Sequence, residues 1–171
     1  MIAERITHTI EPVYNQNSRV LILGTLPSPK SREFGFYYGH PQNRFWRVMA
    51  AVLGKPLPQT NDEKRTLMLQ NGIALWDVLH ACVIEGAEDA SIKAPEPNDL
   101  TPILQTADIR AVFTTGAKAA SLYKKYLQST TGIAPILLPS TSPANCARSL
   151  DSLVEAYGII KTYLEDSLWK K

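Results

Sequence analysis

Short apolar runs recur along the chain, and stretches with the spacing of amphipathic helices separate them. Runs of this kind lie at residues 20–23, 73–78, 111–115 and 134–138. Unbroken runs rich in Val, Ile and Leu are typical of strands that are buried on both faces. Between the runs, apolar residues recur at helical spacing, as at Phe45, Met49 and Val52, which predicts a helix over residues 43–53 that ends at Gly54.

Further helices are predicted from capping and from apolar stripes. Thr60 and Glu63 have the spacing of a capping box, which opens a helix that runs to Gln70. Gly116 turns the third apolar run into another helix. A last helix is predicted to carry Leu150, Leu153, Val154, Tyr157 and Leu164 on one stripe.

The alternation of strand and helix predicts an α/β fold. We expect a three-layer αβα sandwich, in which a four-stranded parallel sheet carries helices on both faces. The 171 residues suit one domain with a core of its own, and no repeat or linker divides them, so a single domain over residues 1–171 is expected. Residues 1–18 are interpreted as an entry segment and residues 79–97 as a long irregular loop, of the kind that is functional or disordered.

Composition limits the class of protein and its partners. Hydrophobic residues make up 44% of the chain and charged residues 20%, which is ordinary for a globular protein. No apolar run has the length of a membrane span, and the segment MIAERITHTIEP lacks the blocks of a signal peptide, so we expect a soluble, cytoplasmic protein with no membrane partner. We also expect a monomer. The net charge is +2, so any phosphate contact depends on a local patch and on backbone amides.

Cysteine and histidine usage argues against a metal or a cofactor. The two cysteines, Cys82 and Cys146, have no CxxC spacing and are interpreted as free thiols. A four-cysteine iron–sulfur cluster is arithmetically excluded within one chain. The three histidines are scattered and do not form a zinc ligand set with the cysteines. We therefore expect no metal and no cofactor.

The loop after the first apolar run is unusually aromatic. Residues 24–46 read GTLPSPKSREFGFYYGHPQNRFW and hold six of the fourteen Phe, Tyr and Trp residues of the chain. In an open α/β sheet, a loop at the carboxyl end of a strand is where ligands bind, whereas ordinary loops carry polar side chains. Either this loop holds something flat, or it folds back into the core.

Asn43 and His40 are candidates for chemistry in this loop. Asn43 lies at the start of the predicted helix, where the commonest role of Asn is that of an N-cap. In the same position it lies beside the free N–H groups of a helix N-terminus, where an amide can orient a water molecule for attack at a cationic carbon. His40 is either an acid or base near neutral pH or a turn residue bonded to the backbone. His8 and His80 are interpreted as structural.

Hydroxyl side chains cluster in two loops that follow predicted strands. Ser140, Thr141 and Ser142 lie before the last helix, and Thr25, Ser28 and Ser31 follow the first strand. Each loop is either a capped turn or a phosphate site, because small hydroxyl side chains and exposed amides suit phosphate contact. Neither contains a Walker or a GxGxxG motif. Asp77 ends the second strand, and its carboxylate is expected to point into the crevice, as a cap or as an acceptor for a ligand.

Four segments together resemble the uracil-DNA glycosylase superfamily. They are GTLPS at 24–28, FYYGHPQNRFW at 36–46, LWDV at 75–78 and LPSTSPAN at 138–145. The set is most similar to the hypoxanthine-DNA glycosylases, also called DNA-deoxyinosine glycosylases, and HPxNxFW is its most specific part. The resemblance covers the chain from about residue 18 to the final helix. It implies an enzyme that removes a deaminated base, hypoxanthine or uracil, after flipping the nucleotide out of DNA into a pocket.

The resemblance also implies roles for individual residues. The pocket would be lined by Gly24, Thr25, Leu26, Pro27 and Ser28. Leu26 stands where several branches carry a water-activating Asp or Asn, so the catalytic role passes to Asn43, as in the hypoxanthine-acting branch. Leu138 replaces the His or Asn that many relatives have before the second Pro-Ser. Phe36 is the implied stacking ring, and Asp77 occupies the place where relatives read the base edge.

DNA is the partner that the resemblance implies, double-stranded or single-stranded. Ser142, Pro143 and Ala144 would form the wedge that enters the duplex, and Ser140 and Ser28 would contact phosphate. No lysine occupies a motif position, so we expect hydrolysis without a Schiff base and without strand cleavage, which makes the enzyme monofunctional. The iron–sulfur branches do not fit a chain with two cysteines.

Two other functions are compatible with the same pattern. One is a binding module of the same fold that recognises damaged or single-stranded nucleic acid by ring stacking without chemistry, which the missing Asp or Asn of the first motif favours slightly. The other is a small-molecule enzyme that acts on free nucleosides. Base release from an oligonucleotide separates the glycosylase from the binding module, and competition by free inosine separates it from the small-molecule enzyme.

Overall fold

Strands and helices alternate along most of the computed structural model, which describes residues 2–166. The strands are β1 (Glu4–Thr7), β2 (Val20–Gly24), β3 (Ile73–Asp77), β4 (Leu79–Ile84), β5 (Lys93–Pro97), β6 (Ala111–Thr115) and β7 (Pro135–Leu138). The helices are α1 (Pro29–Phe34), α2 (Phe45–Leu53), α3 (Asn61–Gln70), α4 (Thr101–Thr106), α5 (Ala117–Tyr126), α6 (Gln128–Thr131), α7 (Leu150–Tyr157) and α8 (Ile160–Leu164). Residue 1 and residues 167–171, the ends of the predicted single domain, lie outside the described residues.

The main sheet has four parallel strands in the order β3-β2-β6-β7. Val20 of the inner strand β2 pairs with Ile73 on one side and with Ala111 on the other. All five residues of β2 are buried, as expected for an apolar run at the centre of a parallel sheet. The predicted α/β fold with a four-stranded parallel sheet is confirmed, and the carboxyl ends of all four strands lie along one edge.

Helices cover both faces of this sheet because successive side chains of a strand point in opposite directions. On one face, Val20 and Ile22 belong to a core cluster that includes side chains from α2, α3, α7 and α8. On the other face, Leu21 and Leu23 belong to a second cluster with side chains from α4 and α5. The alternation of side chains along each strand therefore produces two separate apolar layers, one on each face of the sheet, as in the predicted three-layer sandwich.

A second, antiparallel sheet of three strands, in the order β1-β4-β5, was not predicted. The segment 79–97, interpreted as an irregular loop, contains β4, a 3₁₀ turn at Asp89–Ser91 and β5. The supposed entry segment 1–18 contributes β1. The prediction was wrong because β5 carries Pro95 and Pro97, which argue against a strand, although prolines are tolerated on an edge strand such as this one.

The helices also differ from the predicted ones in three places. The last helix divides into α7 and α8, with Gly158 between them. Residues 29–34 form α1, which was not predicted, with Ser28 as its N-cap. The helix predicted over 43–53 begins at Phe45 and ends at Gly54, in the left-handed conformation (φ 64°). In the described part of the chain, no helix is long and apolar enough to cross a membrane.

Replacing Thr60 with Ala is expected to lower stability without changing activity. The predicted capping box is present: Thr60 Oγ1 accepts from the N–H of Glu63, and Glu63 Oε2 accepts from the N–H of Thr60. Loss of the hydroxyl leaves one N–H of the first turn without its partner, which costs about 1 kcal/mol. Thermal unfolding of Thr60→Ala should show this decrease. An unchanged melting temperature would mean that water replaces the cap at no cost.

Candidate active site

A cavity of about 350 Å³ opens at the carboxyl edge of the parallel sheet. All residues predicted for the site except Phe36 line it: Asn43, Gly24, Thr25, Leu26, Pro27, Asp77, Ser28, Ser140, Ser142, Pro143 and Ala144. A larger hollow of about 760 Å³ lies among Arg19, Gly72 and Leu164, next to the amino ends of the strands. Ligands of open α/β sheets bind at the carboxyl ends, so the smaller cavity is the candidate site.

The floor of the cavity is formed where the ends of β2 and β3 lie side by side. Gly24 pairs with Asp77 in the parallel register, and a Cβ added to Gly24 would lie 2.6 Å from Asp77 Oδ1. Only a residue without a side chain fits beside this carboxylate. The Asp77 side chain is 6% exposed, and no hydrogen bond from residues 2–166 reaches its Oδ1. This oxygen is therefore an acceptor that is available to the cavity.

The other carboxylate oxygen of Asp77 is held by His8. His8 Nε2 lies 2.8 Å from Asp77 Oδ2, and both side chains are buried. His8 Nδ1 accepts from the backbone N–H of Ile10 (3.1 Å), so the ring hydrogen is on Nε2 and donates to Asp77. The interpretation of His8 as structural missed this pair, because residue 8 is 69 positions away and no local pattern links it to Asp77.

Asn98 fixes the backbone at the same point. Its buried amide Nδ2 donates to the carbonyl oxygens of Asp77 (2.9 Å) and Leu79 (3.1 Å). A single residue, Val78, separates β3 from β4, so the chain passes from the parallel sheet to the antiparallel sheet directly at the cavity floor. The helix α4 begins further along the chain, at Thr101, without a side-chain cap.

The aromatic loop both returns to the core and exposes a ring to the cavity. Phe36 is 2% exposed and stacks on Trp46 in the core (ring centroids 6.0 Å apart), so it does not line the cavity as predicted. Tyr38, which does line it, has a φ of 53° and stacks on Phe45 with centroids 3.8 Å apart. The turn through the left-handed region directs successive rings to different sides.

The hydroxyl groups of this loop stay protonated. Desolvation and the negative charge of Asp77 raise the pKa of Tyr38 well above its ordinary value, while the hydrogen bond with Thr115 opposes the rise. Tyr38 therefore faces the cavity as a phenol that can donate or accept. Burial likewise raises the pKa of Tyr37, whose hydroxyl lies within hydrogen-bond distance of the carbonyl oxygens of Ile10 and Glu11. That contact holds the N-terminal segment that carries His8.

Asn43 has a fixed amide orientation. Its Oδ1 accepts from the N–H of Phe45 (2.9 Å) and from the hydroxyl of Thr141 (2.8 Å). A backbone N–H can donate only to the oxygen, so the assignment of oxygen and nitrogen follows from the network. With two donors on Oδ1, Asn43 can offer the cavity only its Nδ2 hydrogens. The N-cap of α2 falls one residue later than predicted, at Arg44, which has no side-chain cap, and Asn43 Oδ1 instead accepts the N–H of Phe45 from the turn before the helix.

Arg44 holds the loop between β7 and α7 in place. This role of Arg44 was not predicted. Its guanidinium donates to the carbonyl oxygens of Asn145 (3.0 Å) and Arg148, and its Nη2 lies 3.5 Å from that of Ser142. Its backbone N–H donates to the carbonyl of buried Thr141 (3.1 Å). Pro143 and Ala144 are exposed at the tip of this loop. The predicted wedge is therefore held from beneath by a planar cation that binds several carbonyls at once.

We expect Arg44→Lys to loosen this loop. A lysine has one compact ammonium and cannot bind the same carbonyls together. Hydrogen exchange of the amides of Ala144 and Asn145 should become about tenfold faster, equivalent to about 1.4 kcal/mol of local stability. Arg47→Lys on the exposed side of the same helix is the matched control. Equal exchange in both variants would show that the loop holds its shape without Arg44.

The serine hydroxyls of the two loops, after β2 and after β7, all accept hydrogen bonds from backbone N–H groups. Their own hydrogens are either without a partner among the described residues or donated to a neighbouring serine. Ser140 Oγ accepts from the N–H of Ser142, and Ser142 Oγ accepts from the N–H of Ala144. Ser28 Oγ accepts from the N–H of Ser31 and donates to the Ser31 hydroxyl. Both loops therefore form capped turns. The Ser140 and Ser142 hydroxyls can still donate their hydrogens to a phosphate oxygen.

Two further titratable side chains line the cavity. His40 Nδ1 accepts from the N–H of Gln42, so His40 is bonded to the backbone in a turn, the second of its two predicted roles. Asp89 approaches the cavity from the turn between β4 and β5. Desolvation raises the pKa of its carboxyl, and the positive charge of Lys118 lowers it in part. Sequence alone does not bring this turn to the cavity, because β4 and β5 were not predicted.

Comparison with known proteins identifies the family. The model of the Uracil DNA glycosylase superfamily matches residues 11–161. A protein of Methanosarcina barkeri named hypoxanthine DNA glycosylase is 39% identical over 143 residues, 82% of this chain and 89% of its own length. One of Methanosarcina acetivorans with the same name is 37% identical over 135 residues, 78% and 84%. This chain belongs to the uracil DNA glycosylase superfamily, as the four motifs indicated.

A solved structure supports the assignment at the level of the fold. The solution NMR structure of a candidate uracil DNA glycosylase from Methanosarcina acetivorans superposes with a TM-score of 0.75 at 30% identity. The match covers 91% of this chain and 98% of that one. The fold of this chain is thus shared with that protein.

Proposed function

We propose that this chain is a monofunctional DNA glycosylase that removes hypoxanthine from DNA, accepts uracil as a second base, and acts as a monomer without a cofactor. One observation carries the proposal: a single cavity at the carboxyl edge of the sheet gathers Asp77, Asn43 and the Ser140–Ala144 segment. Relatives that share 37% to 39% of their residues with this chain are named hypoxanthine DNA glycosylase. Family membership makes DNA glycosylase chemistry the starting point, and the choice of base is part of the proposal.

The proposed reaction is hydrolysis of the bond between C1′ of deoxyribose and the base nitrogen. The bond breaks toward an oxocarbenium-like state, its electron pair leaves with the base, water oxygen bonds to C1′, and the base gains the proton that water loses. Asn43 holds this water by donating from Nδ2, which leaves a lone pair of the water oxygen free to face C1′. A neutral amide takes up no proton, so the rate depends on placement and electrostatics, and we expect modest turnover.

Recognition of the flipped base is assigned to the cavity floor. Asp77 Oδ1 accepts the ring N–H that hypoxanthine and uracil share, and Tyr38 offers a ring face and a protonated hydroxyl beside it. Around the mouth, Ser140 and Ser142 have hydroxyl hydrogens available for phosphate oxygens, and Ser28 contacts a phosphate only by giving up its hydrogen bond to Ser31. The exposed Pro143 and Ala144 are small, rigid and apolar, which suits a wedge between base pairs.

The test is a base-release assay. Oligonucleotides with one hypoxanthine, uracil, xanthine or mismatched thymine, in single and double strands, are incubated with the protein, and abasic sites are revealed by alkaline cleavage. We expect release of hypoxanthine first and of uracil second. Borohydride should trap no covalent adduct, because no lysine occupies a motif position. Failure to release any base, or an adduct trapped by borohydride, would contradict the proposal.

A non-catalytic binding module is the second candidate. Leu26 stands in the place of a water-activating side chain, and the occupied Oδ1 of Asn43 cannot accept a proton from water. Those two observations favour binding without chemistry. The same oligonucleotides decide between the candidates: tight binding to hypoxanthine-containing DNA without abasic sites would support the module and exclude the enzyme.

A further inference from the structure

We propose that His8 is a positioning residue that fixes which hydrogen-bonding group the cavity presents to a base, and that it thereby selects bases with a ring N–H. The inference rests on the proposed function, because it assumes that a base occupies the cavity. The proposed function says where the base binds. The inference adds a selection rule, that is, how the site distinguishes a deaminated base from its parent base. The residue that carries the rule lies outside the motifs by which the family was identified.

The His8 ring has one possible orientation in this environment. The N–H of Ile10 donates to Nδ1, so the only ring hydrogen is on Nε2, and it points at Asp77 Oδ2. The side chain is 1% exposed, and the rings of Tyr37 (6.2 Å) and Trp76 (6.4 Å) flank it. Since Nε2 can only donate here, the group that faces it must accept. His8 therefore requires an oxygen on its side of residue 77.

Asp77 meets that requirement and leaves a second oxygen for the cavity. Oδ1 lies against Gly24, where the Tyr38 and Thr115 hydroxyls also converge within 3.6 Å of the position of a Cβ. The Asp77 side chain is more than nine-tenths buried, and no hydrogen bond from a described residue reaches Oδ1, which faces the open cavity. A ligand that displaces solvent from this oxygen gains binding energy if it supplies an N–H there, and it leaves the oxygen desolvated without a donor if it does not.

The chemistry of the bases turns this acceptor into a selection rule. Hypoxanthine carries a hydrogen on N1 and uracil carries one on N3. Their parent bases, adenine and cytosine, have a lone pair at the same ring nitrogens. A carboxylate oxygen accepts from the first pair and repels the second, and a buried mismatch of this kind can discriminate strongly. The fixed acceptor Asp77 Oδ1 therefore distinguishes hypoxanthine from adenine and uracil from cytosine, whether the base is a purine or a pyrimidine.

Asp77→Asn tests the rule because an amide has two different ends. If His8 demands an oxygen, the Asn carbonyl must face His8 and its NH₂ must face the cavity. Binding of oligonucleotides with hypoxanthine or adenine at the target position is measured by fluorescence anisotropy for the wild type and Asp77→Asn. The wild type should prefer hypoxanthine about tenfold or more, and Asp77→Asn should reverse the preference. An unchanged preference in the variant would overturn the inference.

The double variant shows whether His8 is responsible. In His8→Leu/Asp77→Asn, the amide can turn its carbonyl to the cavity, so hypoxanthine release and binding should recover about tenfold over Asp77→Asn alone. A merely structural His8 would instead make the double variant worse, so the sign of the coupling decides. His8→Leu with Asp77 in place is the matched control: a carboxylate offers an oxygen at either end, so the preference for hypoxanthine should persist in this variant.

The two proposals fail in different ways. If the wild type releases no base yet binds hypoxanthine over adenine, and Asp77→Asn reverses that order, the glycosylase proposal is wrong and the selection rule stands. If the wild type releases hypoxanthine but the double variant, folded by circular dichroism, is no better than Asp77→Asn, the rule is wrong and the enzyme stands. Thermal unfolding of every variant shows that the comparisons are between folded proteins.

Discussion

Asn43→Ala is expected to lower release of hypoxanthine from DNA by about 10²- to 10³-fold while the chain remains folded. The amide Nδ2 is the donor that Asn43 can offer to a water or to a leaving base, since Oδ1 is occupied by Thr141 and Phe45. Stability should fall by about 1–2 kcal/mol, because the buried Thr141 hydroxyl and one N–H of α2 lose their acceptor. Single-turnover rates with excess enzyme measure the chemical step directly.

Two further variants separate the possible roles of this amide. Asn43→Asp keeps an oxygen for Thr141 and Phe45 and replaces Nδ2 with a second oxygen. If Asn43 acts by donating, Asn43→Asp is as inactive as Asn43→Ala; an active Asn43→Asp would show that an acceptor is what the reaction needs. Thr141→Val removes only the hydroxyl that holds Oδ1, so we expect a smaller loss of about tenfold, from a less well-oriented amide.

Gly24→Ala is expected to abolish activity and to destabilise the chain by about 1–3 kcal/mol. The new Cβ would lie 2.6 Å from Asp77 Oδ1, and this contact involves a buried carboxylate that is itself bonded to His8. Asp77 must therefore move, which breaks its bond with His8 and blocks the cavity floor. Base release and thermal unfolding are measured on the same preparation.

Gly132→Ala provides the matched control for this variant. Gly132 has a φ of 72°, so an alanine there is strained, but a Cβ would meet nothing within 4 Å. Gly132 also lies outside the lining of the cavity. We expect a loss of about 1 kcal/mol with full activity. If Gly24→Ala retains activity in proportion to its folded fraction, as Gly132→Ala should, the close contact with Asp77 does not matter to the site.

The sequence was sufficient for the parallel sheet and for the edge at which the site lies. Apolar runs such as residues 20–23 are unbroken and bounded by turn residues, so their burial in a parallel sheet could be predicted. The motif loops after β2, β3 and β7 then had to meet, because the carboxyl ends of parallel strands share one edge. Local sequence patterns were therefore enough to predict most of the residues that line the cavity.

The features of the site and fold that were not predicted depend on contacts between residues far apart in the sequence, or on backbone conformations that no local pattern encodes. His8 pairs with a residue 69 positions away, and the Arg44 guanidinium binds the carbonyl of Arg148, 104 positions away. Phe36 and Tyr38 differ in position because Tyr38 adopts a positive φ that is unusual for a tyrosine, and nothing in FYY distinguishes the two rings. The antiparallel sheet was missed because its edge strand contains prolines and mostly exposed residues.

The join between the two sheets at Val78 has a consequence for heat inactivation. His8 and Asn98, which hold Asp77, lie just beyond β1 and β5, strands whose residues are mostly exposed. Elements with few buried side chains open at a lower free energy than the core, as partial cooperative units. We therefore expect the two edge strands β1 and β5, a smaller unit than the whole fold, to open while β4 and the parallel sheet stay packed in the core, and each opening releases the carboxylate at the cavity floor. Activity then reports the stability of the smaller unit, not that of the whole fold.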